Sequence, residues 1–334
     1  MMACPASVVV TAPSRLHLGL LDMHGGSGRV DGGLGVALRA PGQRLEIRRA
    51  EGFSVEAKVP PPDDVLDASR QAFEAMRARL GVGGAAVRIV RSPPFHSGLG
   101  CTTQFLLGVA AGLCALYDIS VPVRRLAGLV RRGGTSGIGV AAFESGGFIV
   151  DGGHRFGPGG KADFRSSATS IAPPAPVLFQ RELPEAWRWV CILPPGRSVS
   201  GAQEDGIFAT HCPMPLDEVR ELAHLVLMRA MPAVVEVDVA ALGAALTRMQ
   251  DLGFKRVEVD LQPPHVRGLM RVLVESGAAG AGMSSFGPLV FGLCRKRDAD
   301  DVRTAGEEYL RARGVKFDSF LSATDNGGSR IEAN

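Results

Sequence analysis

Ser97, Gly98, Leu99, Gly100, Cys101, Thr102, Thr103 and Gln104 set two glycines and three hydroxyls directly ahead of an apolar run. Glycines let a backbone approach a ligand closely, and hydroxyls donate hydrogen bonds. The run that follows, residues 103–117, predicts a helix that is apolar on every side and therefore central. Its first turn leaves N–H groups without partners at the positive end of the helix dipole. Such a junction is an anion site suited to phosphate or pyrophosphate. A second glycine-rich turn, Gly133-Gly134-Thr135-Ser136-Gly137, and a third over residues 280–285 extend the pattern, the third with the hydroxyls of Ser284 and Ser285.

The chain that positions these turns has 334 residues, enough for two domains and a large core. Its 37 basic and 34 acidic residues leave a net charge near +3, and no Lys/Arg run marks a nucleic-acid surface. Six cysteines are scattered without a Cys-x-x-Cys pair, as expected for reduced thiols in a cytoplasmic protein. No apolar run reaches the ~18 residues of a membrane span, and no secretory signal is visible. The expectation is a cytoplasmic protein that binds small molecules, with neither nucleic acid nor membrane as partner.

Strands are expected at residues 6–11, 44–49, 53–59, 85–91 and 147–150. Helices are expected from Asp63 or Asp64 to Gly81, after the 97–104 turn, and from Pro122. A Gly/Pro/Ser-rich stretch at 157–176 reads as a connector between domains at 1–175 and 176–334. Beyond it lie a strand at 187–193, helices at 216–230, 239–252, 264–275 and 299–313, and a strand at 315–320. The whole is an α+β protein.

Three glycine-rich motifs in this order resemble the GHMP superfamily, named for galacto-, homoserine, mevalonate and phosphomevalonate kinases. The motifs are Ala12-Pro-Ser-Arg-Leu-His-Leu-Gly19, Pro93 to Thr103 with Gly98-Leu-Gly100 inside it, and Gly282-Met-Ser-Ser-Phe-Gly-Pro288. The resemblance implies a two-domain fold: an N-terminal domain like domain 2 of ribosomal protein S5 and a ferredoxin-like C-terminal domain. Kinases of the superfamily carry an aspartate in a Ser-Gly-x-Asp context, whereas this chain reads Ser136-Gly137-Ile138-Gly139. That departure is similar to the β-ribofuranosylaminobenzene 5′-phosphate synthases, a non-kinase branch. So are Ser14 to Asp22, Arg29-Val-Asp-Gly-Gly33, Gly133 to Val140, Gly146 to His154 and Thr324-Asp-Asn-Gly-Gly328.

The resemblance implies that phosphoribosyl pyrophosphate is joined to 4-aminobenzoate or 4-hydroxybenzoate, with loss of carbon dioxide and pyrophosphate, on the route to tetrahydromethanopterin. The Gly98–Thr103 turn is then the candidate for one anionic group of the donor, and Thr135, Ser136 and Gly137 for the other, with Ser284 and Ser285. An oxocarbenium-like sugar needs a nearby carboxylate, and Mg²⁺ would neutralise the leaving group. Asp22, Asp31 and Asp151 are the available acids, Asp151 as metal ligand. Arg15 and Arg29 are candidates to pin the acceptor carboxylate. His17 and His154 are candidates to take a proton from the ring substituent. Each has a plainer reading: Asp22 and Asp31 suit turns, and His17 lies in an apolar run. A homodimer is the default assembly. Two alternatives stay open: an ATP-dependent kinase in which Asp151 replaces the missing acid, and a relative that binds a phosphorylated metabolite without turnover.

Overall fold

A computed structural model describes residues 5–197, 199 and 201–333; Cys4 lies outside them. In chain order the first half comprises β1 (Ser7–Asp22), β2 (Arg29–Arg49), β3 (Phe53–Ala57), α1 (Asp63–Leu80), β4 (Ala85–Arg91), α2 (Cys101–Leu116), α3 (Val123–Leu129), α4 (Ile138–Glu144), β5 (Phe148–Asp151), β6 (His154–Arg155) and β7 (Val177–Arg181). The second half comprises β8 (Trp187–Leu193), α5 (Ala202–His211), α6 (Leu216–Leu225), α7 (Met231–Val235), α8 (Val239–Met249), α9 (Gly253–Asp260), α10 (Pro264–Glu275), β9 (Gly280–Met283), β10 (Val290–Arg295), α11 (Ala299–Arg311), β11 (Asp318–Ser322) and β12 (Arg330–Ala333).

The first sheet runs β12-β1-β2-β4-β3, with β5 and β6 also pairing β2, and β7 pairing β5. The second sheet runs β11-β8-β10-β9, all neighbours antiparallel. Numbered within that sheet the order is 4-1-3-2, the ferredoxin-like arrangement that the resemblance implied. The sheets do not part at one point of the chain. β7 follows residue 175 yet joins the first sheet, and β12 returns from the C-terminus to lie beside β1.

The first glycine motif is not a loop. β1 continues through it, because β2 supplies hydrogen-bonding partners as far as Asp22. Register shifts between Ala12 and Ser14 and between His17 and Gly19 mark bulges, which re-aim side chains along a strand. α2 starts at Cys101, two residues ahead of expectation. Fourteen of its residues are buried between the first sheet and the smaller helices, so a helix without a polar face becomes the rigid centre of the domain. The third motif is a short strand, β9, followed by a turn.

Three helices escaped the sequence reading. α4 is seven residues long. α5 buries only Ile207 and Phe208 and so lacks an apolar stripe. α9 buries Lys255 and Glu258 among its apolar residues, which spoils its pattern. The helix expected at 216–230 divides into α6 and a wide π-type turn at 226–230, and α7 extends it to Val235.

Candidate active site

The three motifs meet at one point. The Ser284 hydroxyl accepts the His17 backbone N–H at 2.9 Å and donates to the Gly98 carbonyl at 2.6 Å. The Ser285 N–H donates to the His17 carbonyl at 3.0 Å, and the Arg15 N–H to the Leu99 carbonyl at 3.0 Å. Backbone approach here is too close for side chains. A Cβ at Gly98, where φ is +93°, would lie 2.7 Å from the Ser284 carbonyl oxygen, and one at Gly287 would lie 2.4 Å from the Gly98 nitrogen. Glycine is therefore required at this seam between the two sheets.

The seam fixes the N-terminus of α2 against a small cavity of about 140 Å³. Arg15, Gly98, Gly100, Cys101, Thr102, Thr103, Arg132, Glu204 and Ser285 line it. A larger cavity of about 680 Å³ adjoins it and shares His96, Thr102, Arg132, Ser167 and Glu204. The Arg15 guanidinium donates to the Gly98 carbonyl at 2.6 Å, and Arg132 Nε donates to the Thr103 hydroxyl at 3.0 Å. Burial lowers both guanidinium pKa values, Arg15 to about 10; both stay charged at neutral pH. Two cations and the first turn of a helix thus face one space, which is the electrostatic make-up of a phosphate site.

Burial pushes the Cys101 thiol up to about 12 despite the helix terminus and Arg15, and it donates to the Pro94 carbonyl. A thiol held protonated is no nucleophile. Ser97 likewise turns inward, donating to Pro94. Gln104 is fully buried and donates to the Gly139 carbonyl at 2.8 Å. A Cβ at Gly139 would meet the Thr103 methyl at 3.1 Å, so the position that carries the kinase aspartate is packed against α2.

Behind this wall lies a closed cluster. The fully buried Asp151 accepts the Gly137 N–H at 2.9 Å and the Gly153 N–H at 3.0 Å. His17 Nε2 lies 3.1 Å from the Ser136 hydroxyl. Burial, then Arg15 and Lys255, hold the His17 pKa well below the usual range, so its ring is neutral. Burial raises Asp151 to about 6, against the pull of its two N–H donors. The second glycine turn is covered: the Gly134 carbonyl accepts from Lys161 and Ser170, and Thr135 donates to the Arg165 carbonyl. Asp151 therefore does not fit the metal role expected of it, because its oxygens are committed and shielded from water. Among the described residues no three His, Cys, Asp or Glu side chains gather as a metal cage.

The other candidates lie apart from the α2 cavity. Asp31 accepts from His154 Nδ1 at 2.6 Å and Lys161 Nζ at 2.8 Å, and His154 Nε2 faces the Pro173 carbonyl at 2.9 Å. Each nitrogen of His154 is thereby engaged. Arg29 donates to the Gly152 and Gly153 carbonyls and borders a separate cavity of about 770 Å³ with Arg155, Lys161 and Arg165. Asp22 closes a turn, accepting the N–H groups of His24 and Gly25.

Sequence reasoning missed Arg132, Glu204, Lys255 and Glu258. Lys255 is buried, ion-paired with Glu258, and donates to the Met283 carbonyl at 3.3 Å beneath the third motif. The available signals were the Arg131-Arg132 pair just before a glycine turn, and two acids in the first turn of α5.

The family models described as GHMP kinases N terminal domain and GHMP kinases C terminal match residues 68–147 and 230–312. A beta-ribofuranosylphenol 5'-phosphate synthase from Methanothermobacter thermautotrophicus is 41% identical over 306 residues, covering 90% of this chain and 92% of its own. One from Methanocaldococcus jannaschii is 40% identical over 334 residues, covering 97% and 100%. A homoserine kinase structure from Cytophaga hutchinsonii superposes with a TM-score of 0.72 over 99% of both chains, at 18% identity, and so shares the fold. With this identity to two synthases over nearly its full length, and with glycine at position 139, the chain belongs to the beta-ribofuranosylphenol 5'-phosphate synthase family.

Proposed function

We propose that this protein joins phosphoribosyl pyrophosphate to 4-hydroxybenzoate or 4-aminobenzoate, forming an aryl C-riboside and releasing carbon dioxide and pyrophosphate. The observation that carries the reading is the cavity at the N-terminus of α2. It offers Arg15, Arg132 and free helical N–H groups to a polyanion, while Gly139 is packed on Thr103 where a kinase needs its aspartate. The donor's pyrophosphate lies at that terminus, and the sugar extends into the adjoining cavity past Arg131 and His96.

Departure of pyrophosphate leaves positive charge on the sugar. The acceptor ring attacks through the carbon bearing its carboxylate, pushed by the hydroxyl or amino group opposite. Loss of carbon dioxide returns the electron pair to the ring, so no redox step or Schiff base is required. Arg15 serves the donor's pyrophosphate in this reading and not the acceptor carboxylate expected of it, because it lines the α2 cavity, whereas Arg29 borders a separate one. Mg²⁺ enters in this reading with the donor's own phosphates and not through Asp151. The reading includes a homodimer in the cytoplasm; four exposed apolar residues in one stretch, Leu227, Met228, Val235 and Val237, favour self-association. No helix among the described residues is long and apolar enough to cross a membrane.

The test is release of labelled carbon dioxide from carboxyl-labelled 4-hydroxybenzoate and 4-aminobenzoate, with Mg²⁺ and phosphoribosyl pyrophosphate. Turnover is expected from the wild type. It is expected to fall at least tenfold in Gly100→Ala, whose Cβ at φ +74° would sit 2.9 Å from Arg15. Absence of label release with both acceptors overturns the reading, and phosphorylation of a small alcohol by ATP would put the kinase in its place.

A further inference from the structure

Glu204 sits in the first turn of α5, half-buried, on the wall common to the two adjoining cavities. It has neither a hydrogen bond nor an ion pair with any described residue, although Arg15 and Arg132 line the same small cavity. A carboxyl that shares a cavity with two guanidiniums is normally paired with one of them. One left unpaired in a space built for an anion has a use there, because a permanently charged carboxylate would repel the phosphate that the arginines attract.

Resting on the function proposed above, we infer that the Glu204 carboxyl is the acid that protonates pyrophosphate as it leaves the sugar. The bond between the anomeric carbon and the pyrophosphate oxygen breaks, and its electron pair stays on that oxygen. The proton of Glu204 passes to the pyrophosphate, and the side chain is left as a carboxylate. Arg15 and Arg132 then lie close enough to stabilise the new charge. The larger cavity connects Glu204 to solvent, from which the proton is restored before the next turnover.

The charge environment fits a group that holds a proton and gives it up. Burial is the main cause that raises Glu204, to about 8, followed by repulsion from Glu258 on α9; Asp205 on its own helix adds to this, and Arg132 and Arg15 oppose it. His96, on the loop before α2, borders both cavities and is paired with Asp64 of α1. Asp67 and Arg131 face the larger cavity. Lys255 is taken up by Glu258. A bound pyrophosphate adds negative charge beside the carboxyl and favours the protonated form further. An acid titrating near the working pH is the efficient kind.

Two measurements on Glu204→Gln and Glu204→Asp test this. In turnover, the wild type is expected to lose kcat on the basic side with a midpoint near pH 8. Glu204→Gln should lower kcat roughly 10²- to 10⁴-fold, the usual contribution of a general acid, abolish that basic limb and leave the donor KM within about threefold. Glu204→Asp should keep the limb with an intermediate rate. The second measurement needs no acceptor: pyrophosphate affinity, followed by calorimetry from pH 6.5 to 9. The wild type should bind with proton uptake beyond that of free pyrophosphate, and Glu204→Gln should lose the excess. An unchanged rate and limb in Glu204→Gln, or an unchanged proton uptake, overturns the inference even while label release upholds the synthase reading. If the wild type releases no label, the function falls and the calorimetry still decides whether Glu204 shares a proton with bound pyrophosphate.

Discussion

Asp31 and Glu204 are acids in two differently built regions. Asp31 is fully enclosed and shares one oxygen between His154 and Lys161, with both partners buried and Lys161 also bound to the Gly134 carbonyl. Glu204 stands beside two cavities without a partner among the described residues, and burial raises it to about 8. Both lie near cations and glycine-rich turns, and the sequence pointed to Asp31 as a candidate acid and passed over Glu204. The difference is where the compensating charge comes from. The protein itself supplies it to Asp31, which makes that region a clamp holding β2, β6 and the 161–174 segment together. At Glu204 the partner is left for a ligand to supply. Asp31 also leaves its buried Oδ1 without a hydrogen-bond partner among the described residues, so an uncompensated charge beside a cavity marks the reacting region more sharply than an unsatisfied atom as such.

The two acids should differ most in what they contribute to stability. Asp31→Ala leaves Lys161 buried without its counter-ion, which costs on the order of 3–5 kcal/mol. Glu204→Gln removes an uncompensated carboxyl and should hold or gain stability. Urea denaturation of the two variants is expected to differ by that margin, and equal losses would mean that Glu204 is also structural. The next effect is the pH dependence of Asp151. Its folded pKa, about 6, lies above its ordinary value of 3.8, so its contribution is fully present below pH 4 and is lost as pH rises through 6. Two units correspond to about 3 kcal/mol. Asp151→Asn forfeits one accepted N–H but removes this slope, so stability measured from pH 4 to 7 should flatten relative to the wild type. An unchanged slope would place the titration elsewhere.

The glycine turn and the helix behind it were legible because they depend on residue types adjacent in sequence. Gly98, Gly100 and the apolar α2 carry their structural instruction locally. The residues that complete the cavity were not legible, because Arg132 and Glu204 reach it from two separate segments, and the turn and helix that carry them lack a strong apolar period. The segment roles of Asp31 and His154 were hidden for the same reason: their partner Lys161 lies in a stretch rich in Gly, Pro and Ser that reads as a mere connector. Gly139 was informative in the opposite way, since the absence of a side chain at a known position needs no partner to be understood.

The smallest expected effect falls on the seam itself. Ser284 is fully buried, and its hydroxyl is the one side-chain link among the described residues that bonds both His17 and Gly98. Ser284→Ala leaves the buried His17 N–H unpaired and the Gly98 carbonyl with Arg15 alone, a loss of about 1–3 kcal/mol, with no change in the cavity's charge. Its activity should therefore fail differently from that of Glu204→Gln. The Gly98 loop is released and with it the alignment of Arg15, so the donor KM should rise several-fold while the basic limb near pH 8 stays in place. A variant that instead lost the limb would show that the proton is handled through the His17–Ser284 seam, and the division between a holding region and a reacting region would have to be redrawn around His17.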